Sequence, residues 1–112
     1  MVASTIDLDR SISRFVELLG RRIRVEAIVL YGSYANGEPN EDSDIDVAVI
    51  SPDFEGVPMW RRQEIIAEPT LDRDRRLAPI GYPSSEYHNP GRQSFLGEIM
   101  RTGRVVYEAP GS

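Results

Sequence analysis

Apolar residues in the first third of the chain recur at two different spacings, which predict a helix and then a strand. Over residues 8–21 the apolar positions follow a helical period, and Gly20 lies near the end of that segment, as expected for an amphipathic helix. Residues 25–31 (VEAIVLY) form a short, continuous apolar run rich in β-forming residues. Such a run is typical of a buried strand.

The next segments predict a turn, a short helix and a second strand. Gly32 and Ser33 follow the first strand directly, and a small polar segment leads into residues 36–40 (NGEPN), which are dense in turn-forming residues. Residues 45–50 again form an apolar, β-rich run, which Ser51 and Pro52 end. We therefore expect strand, turn-helix and strand in this order, with a loop over residues 53–58.

The second half of the chain alternates between helical and extended patterns. The predicted elements are a helix over residues 59–68, a solvated charge run over 72–76 (DRDRR), a third strand over 77–82, a helical turn over 84–87, a helix over 94–101 and a short last strand over 105–107. Pro79 and Gly81 favour a sheet edge or an irregular strand for the third strand. Ser94 is the expected cap of the last helix and Gly103 its stop. This order indicates an α/β (α+β) fold in which helices flank one small mixed sheet.

Length and composition limit the classes of protein to consider. The chain has 112 residues, which favours a single domain over residues 1–112. With 40% hydrophobic and 28% charged residues it has the composition of a globular protein. It has no cysteine, which excludes disulfides and thiolate metal sites and favours a reducing compartment. Because we find neither a leader pattern nor an apolar stretch of about 18 residues, we expect a cytoplasmic protein without a membrane span.

The charge balance narrows the possible partners. The formal net charge is −5, which argues against broad, non-specific binding of nucleic acid but leaves local binding of a nucleotide open. All thirteen basic residues are arginine, so no lysine is available as a phosphate contact.

Two aspartates at the start of the second strand are the main candidates for chemistry. Side chains two residues apart in a strand point to the same face, so Asp44 and Asp46 share one face while Ile45, Val47 and Val49 share the other. Like charges held this close disfavour each other's ionisation. A magnesium ion relieves that repulsion, and it typically binds one or two carboxylates together with substrate phosphates.

The turn before these aspartates supplies what a phosphate requires. Gly32 allows close approach of the backbone, and the Ser33 hydroxyl and the free amides of a following helix can donate to phosphate oxygens. An Asp-x-Asp before a strand is by itself usually turn chemistry with solvated charges. The ordered combination of strand, Gly-Ser, ten residues, Asp-x-Asp and strand is more specific, and it indicates a nucleoside triphosphate site.

The same residues carry a resemblance to a known family. Gly32-Ser33, ten further residues and Asp44-Ile45-Asp46, within LYGSYANGEPNEDSDIDVAVIS, resemble the motif of the minimal nucleotidyltransferases of the DNA polymerase β superfamily. The ending EIMRTGRVVYE is similar to the last helix and strand of these domains. The likeness covers most of the chain.

The resemblance implies a nucleotidyltransferase fold and a set of roles. Asp44 and Asp46 would bind magnesium, and Gly32 and Ser33 would contact the triphosphate. The reaction implied is transfer of a nucleoside monophosphate, AMP from ATP in our expectation, to an acceptor hydroxyl. Many stand-alone members of this size are antitoxins paired with a HEPN-domain toxin, and some add AMP to a tyrosine of that toxin. We therefore expect a separate, helical, HEPN-like partner.

The sequence departs from the family pattern at the third carboxylate, which usually acts as general base and metal ligand. Its expected position in RRLAPIGY is Ala78, which can do neither. Asp72, Asp74 or Glu86 could replace it. Otherwise the site binds nucleotide with little or no reaction, and the chain is a binding module that acts on its partner by contact.

Most of the other conspicuous side chains are predicted to lie outside the site. The predictions are a surface position for His88, a core position for Trp60 with Ile65 and Ile66, and a solvated helix face for Arg61 and Arg62. Tyr34, beside the phosphate turn, is a candidate to line the pocket or to accept modification.

Overall fold

Four strands form one sheet in a computed structural model that describes residues 5–37, 44–71, 76–91 and 94–110. The strands are β1 (Ala27–Tyr31), β2 (Ile45–Ser51), β3 (Leu77–Pro83) and β4 (Arg104–Glu108), and the helices are α1 (Thr5–Leu19), α2 (Ser33–Asn36), α3 (Met59–Leu71), α4 (Ser84–His88) and α5 (Phe95–Thr102). The predicted helices and strands are confirmed within a few residues at their ends, whereas the predicted charge run over 72–76 lies outside the described residues except for Arg76. The predicted loop over 53–58 overlaps a short 3₁₀ turn at Pro52–Phe54.

The strand order in the sheet is β3-β2-β1-β4. Strand β1 pairs antiparallel with both β2 and β4, whereas β2 and β3 pair in parallel, so the sheet is mixed as expected. The edge position predicted for β3 is confirmed. Pro79 has no N–H to donate, and the Gln63 side chain bonds the Pro79 carbonyl and the Gly81 N–H instead.

Both faces of the two central strands, β1 and β2, are buried. One face packs on α1 and α3 through side chains that include Phe15, Leu30, Val47 and Ile66. The other face packs on α5 through a smaller cluster that includes Val29, Ala48, Ile50, Leu96 and Ile99. On the face of β2 that carries Asp46, this aspartate is therefore the only acidic side chain, and the residues that follow it on that face, Ala48 and Ile50, are apolar.

Two side chains, those of Trp60 and Arg62, have surroundings that differ from the sequence prediction. The prediction of a core position for Trp60 is wrong, because its side chain is 67% exposed at the start of α3, while Ile66 is buried as predicted. The prediction of a solvated face for Arg62 is also wrong. Its guanidinium donates to the carbonyls of Val57 and Gly81 and so ties α3 to β3.

The last helix has the predicted ends. The Ser94 hydroxyl accepts a hydrogen bond from the Gly97 N–H at 3.0 Å and caps α5, and Gly103 follows its last turn. A side chain at Gly103 would overlap the carbonyl oxygens of Ile99 and Leu30, so glycine lets α5 and β4 meet β1 closely. None of the helices in the described ranges has the length and hydropathy that crossing a membrane requires.

Candidate functional site

Three side chains meet at one end of the sheet because of the strand register. Asp46 in β2 lies opposite Tyr31 of β1 and opposite Ala78 of β3. Register partners point to the same face, so Tyr31, Asp46 and Ala78 form a row across three strands. Asp44 is exposed and lies directly before β2. We call this region, with Gly32 and Ser33, the site end of the sheet.

Gly32 brings the turn against the Asp46 carboxylate. Its φ of 75° lies in the region that favours glycine. A Cβ at this position would also overlap Oδ2 of Asp46. Two independent constraints therefore require glycine, and they place the backbone at the start of α2 beside the carboxylate, as the sequence predicts.

The turn leaves hydrogen-bond donors available at the same place. Helix α2 starts at Ser33, and Gly32 at its N-cap position has no side chain that could bond the first amides. The Ala35 amide donates to the Gly32 carbonyl at 3.1 Å, so the amides that helix geometry leaves for a phosphate are those of Ser33 and Tyr34. The structure thus puts Gly32 and Ser33 next to Asp46.

The two carboxylates are held close, and no described side chain supplies a counter-charge. Partial burial raises the pKa of Asp46, and the negative charge of Asp44 raises that pKa further. Among the side chains that the structure describes, no arginine or histidine forms an ion pair with either aspartate. A divalent cation would supply the missing positive charge.

The donor set fits magnesium bound together with a nucleotide. Two carboxylates are available at the site end, and triphosphate oxygens and water can complete an oxygen-ligand shell. In residues 5–37, 44–71, 76–91 and 94–110 there is no group of three acidic or histidine side chains that could bind a metal on its own. The residues therefore suit a cation that arrives with phosphate.

Tyr31 is the residue of this site that sequence reasoning did not assign. Burial raises its pKa to about 12, with smaller contributions from Asp46 and Tyr82. Its ring contacts Phe95 edge-on, with centroids 5.9 Å apart and planes at 88°. The available signal was its place directly before Gly32, but the β1–β2 register was needed to set it opposite Asp46.

Ala78 stands where the sequence predicts a missing carboxylate, in register with Asp46. Glu86 is not a replacement. From Ala78 the strand runs five residues to Pro83, about 16 Å at 3.3 Å per residue, before α4 begins. Glu86 therefore lies beyond the opposite end of the sheet. The residue that precedes it, Ser85, donates hydrogen bonds to Glu55 there. Asp72 and Asp74, the other two alternatives, lie outside the described residues.

Two further candidates are settled by their surroundings. Tyr34 is 8% exposed and belongs to the larger core cluster, so its ring supports the turn and does not line an open pocket. His88 is exposed, as predicted, and pairs with Glu26.

The sequence matches one protein family and is similar to two proteins of one archaeon. The model of the family described as "Nucleotidyltransferase domain" matches residues 12–88. Two proteins of Methanocaldococcus jannaschii are similar in sequence. The one named "Putative protein adenylyltransferase MJ0604" is 38% identical over 102 residues, which cover 88% of this chain and 97% of that protein. The one named "Putative protein adenylyltransferase MJ0141" is 28% identical over 86 residues, covering 74% and 80%.

Solved structures share the fold at low sequence identity. A nucleotidyltransferase structure from Sulfolobus solfataricus aligns with a TM-score of 0.73 and 14% identity, covering 96% of this chain and 86% of the other. A toxin–antitoxin structure with AMP-PNP aligns with a TM-score of 0.56 and 19% identity, covering 91% and 74%. Taken with the Gly32-Ser33 turn packed against Asp46, these matches show that the chain belongs to the nucleotidyltransferase domain family.

Proposed function

We propose that this protein is a cytoplasmic, magnesium-dependent nucleotidyltransferase that transfers AMP from ATP to a hydroxyl group of a partner protein. The observation that carries the proposal is the contact between the Gly32 turn and Asp46, with Asp44 adjacent. It puts phosphate donors and an acidic pair, which no described cation neutralises, in one place. The names of the M. jannaschii relatives support a protein as acceptor.

Each residue has a stated role in this proposal. Ser33 and the amides that follow Gly32 hold phosphate oxygens, and Asp44 and Asp46 hold magnesium. When bound, magnesium neutralises phosphate charge and orients the triphosphate. The acceptor oxygen bonds to the α-phosphorus, the bond from that phosphorus to the bridging oxygen of pyrophosphate breaks, and pyrophosphate leaves with the electron pair.

The proton of the acceptor hydroxyl needs a base that Ala78 does not provide. Losing a positioned base commonly lowers a rate by about 10²- to 10⁴-fold. We propose that a separate partner of the HEPN type brings the acceptor hydroxyl to the site end. The toxin–antitoxin neighbour solved with AMP-PNP supports both a nucleotide and a partner protein.

Labelling in cell lysate tests the transfer directly. Wild type with α-³²P-ATP, magnesium and source-cell lysate should label a protein band, and Asp44→Asn should not. Asp53→Asn is the matched control, because this exposed-loop carboxylate accepts the Arg24 N–H at the opposite end of the sheet. Equal labelling by Asp44→Asn and wild type would contradict the proposal.

The pairing of Ala78 with Asp46 favours a second candidate, a catalytically weak module that acts on its partner by contact. The two functions differ in what Asp44→Asn does in the cell. An enzyme loses its biological effect while partner binding survives. A contact module keeps both, so a pull-down and a growth assay on the same variant decide between them.

A further inference from the structure

A large aromatic side chain is exposed beside the site end. Phe95 is the first residue of α5, and its side chain is 57% exposed, whereas Leu96 and Ile99 of the same helix are buried in the smaller core cluster. The smaller core cluster therefore forms without enclosing Phe95. A single exposed apolar side chain is ordinary by itself, but an exposed aromatic ring next to a ligand site is able to contact the ligand.

Phe95 is 57% exposed, and its contact with Tyr31 covers at most one face of its ring. The planes of the Phe95 and Tyr31 rings meet at 88°, which is an edge-to-face arrangement. In such a pair one ring is contacted on a single face, and the other ring is contacted only at its edge, so its two faces stay uncovered. Tyr31 therefore leaves at least one face of Phe95 open. Such a face can stack on a planar ligand.

The position of the pair relative to the phosphate donors suits a nucleotide. Tyr31 lies directly before Gly32 and opposite Asp46 in the strand register. Phe95 is thus one side chain away from the acidic pair. Tyr31 and Asp46 point to the face of the sheet that α5 covers, so a triphosphate bound at Asp46 would approach from that face, with its base one ribose away from the phosphates.

We infer that the Phe95 ring, supported by Tyr31, stacks on the base of the bound nucleoside triphosphate, an inference that rests on the proposed function. Stacking needs only a π-face, so this subsite should accept any base, with purines favoured by their larger rings. ATP and GTP should bind with similar affinity, and UTP more weakly.

Binding of two ligands that differ in the nucleoside tests this inference. The dissociation constants of Mg-ATP and Mg-tripolyphosphate are measured by calorimetry. Phe95→Ala should weaken Mg-ATP binding by about 5- to 160-fold, the range of one base–aromatic stack, and leave Mg-tripolyphosphate binding unchanged. Met100→Ala is the matched control, since Met100 is 36% exposed on the same helix, and it should change neither constant.

A tryptophan at position 95 gives a second readout that does not depend on loss of binding. The chain has one tryptophan, Trp60, so Phe95→Trp in a Trp60→Phe background places the only indole at the proposed stack. Mg-ATP should quench its fluorescence and Mg-tripolyphosphate should not.

The outcomes separate the inference from the function beneath it. Mg-ATP affinity unchanged in Phe95→Ala, or an equal loss for both ligands, overturns the stacking role alone. A wild-type protein that binds neither ligand overturns the proposed function and the stacking role together.

Discussion

The two ends of the sheet treat acidic side chains in opposite ways. At the far end, past Ser51 and Pro83, Glu55 accepts hydrogen bonds from the Ser85 N–H and hydroxyl at 2.9 and 2.7 Å, which lower its pKa. At the site end, burial and the charge of Asp44 raise the pKa of Asp46. The charged form of Glu55 is therefore stabilised by hydrogen bonds at the far end, whereas the charged form of Asp46 is disfavoured at the site end.

The difference indicates which acids are structural. Asp53 accepts the Arg24 N–H at 2.8 Å, and Glu26 pairs with His88, so these two far-end acids, like Glu55, are bonded to neighbouring elements. Asp44 and Asp46 form no such bond with the described residues. An unfavourable like-charge pair that persists beside a backbone turn is expected where a ligand supplies the compensation.

The largest expected effect separates the ends by function. Asp46→Asn should reduce labelling of the acceptor by at least about 10²-fold, because it removes a magnesium ligand. Asp53→Asn should leave labelling intact and lower the free energy of unfolding by less than about 1 kcal/mol, because the amide oxygen of asparagine can still accept the Arg24 N–H. Labelling and urea denaturation of both variants would make this comparison, and reversed effects would break it.

A gain of function is expected at Ala78. Ala78→Asp would set a third carboxylate in register with Asp46, and in magnesium it should raise the transfer rate by up to about 10²-fold. Without magnesium the added charge should lower the thermal midpoint, so magnesium should stabilise Ala78→Asp more than wild type.

Ala78→Asn is the control for that gain, because it has the same shape without the charge. A rate for Ala78→Asp no higher than that of Ala78→Asn would show that a base at this position is not what limits the reaction.

Glycine replacements compare the ends by backbone geometry. Gly32 and Gly56 have φ values of 75° and 70°, but only at Gly32 does an added Cβ meet other atoms, those of Asp46. Gly56→Ala should cost about 1–2 kcal/mol for the left-handed backbone alone. Gly32→Ala should cost about 2–4 kcal/mol because overpacking is added. Urea denaturation measures both, and equal costs would argue against the close contact.

The smallest effect expected is in the pH dependence of stability, which Glu55 and Asp46 should change in opposite directions. The pKa of Glu55 is lowered on folding, so its stabilisation is present above its ordinary value of 4.5 and is lost as the pH falls through the folded value. The pKa of Asp46 is raised, so stability declines as the pH rises from 3.8 through the folded value.

Urea midpoints across this acidic range check both signs. Glu55→Gln should flatten the loss of stability on the acid side, and Asp46→Asn should remove the decline on raising the pH. Parallel pH profiles for the two variants would contradict the contrast between the ends.

Local sequence determined the elements and the chemical candidates. Apolar spacing sets helices and strands because side-chain direction repeats every 3.6 or 2 residues, and Ser94 and Gly103 act on the helix they border. Gly32, Ser33, Asp44 and Asp46 lie within one short segment, so their spacing alone indicated a phosphate and metal site.

Contacts between distant segments were decided only by the tertiary structure. The register of β1, β2 and β3 sets Tyr31 and Ala78 on either side of Asp46 and excludes Glu86, and packing leaves Trp60 exposed and Arg62 bonded to β3. The physical reason is that strand pairing and helix packing depend on the whole core. The sequence near each residue carries its chemistry, whereas its partners come from elsewhere in the chain.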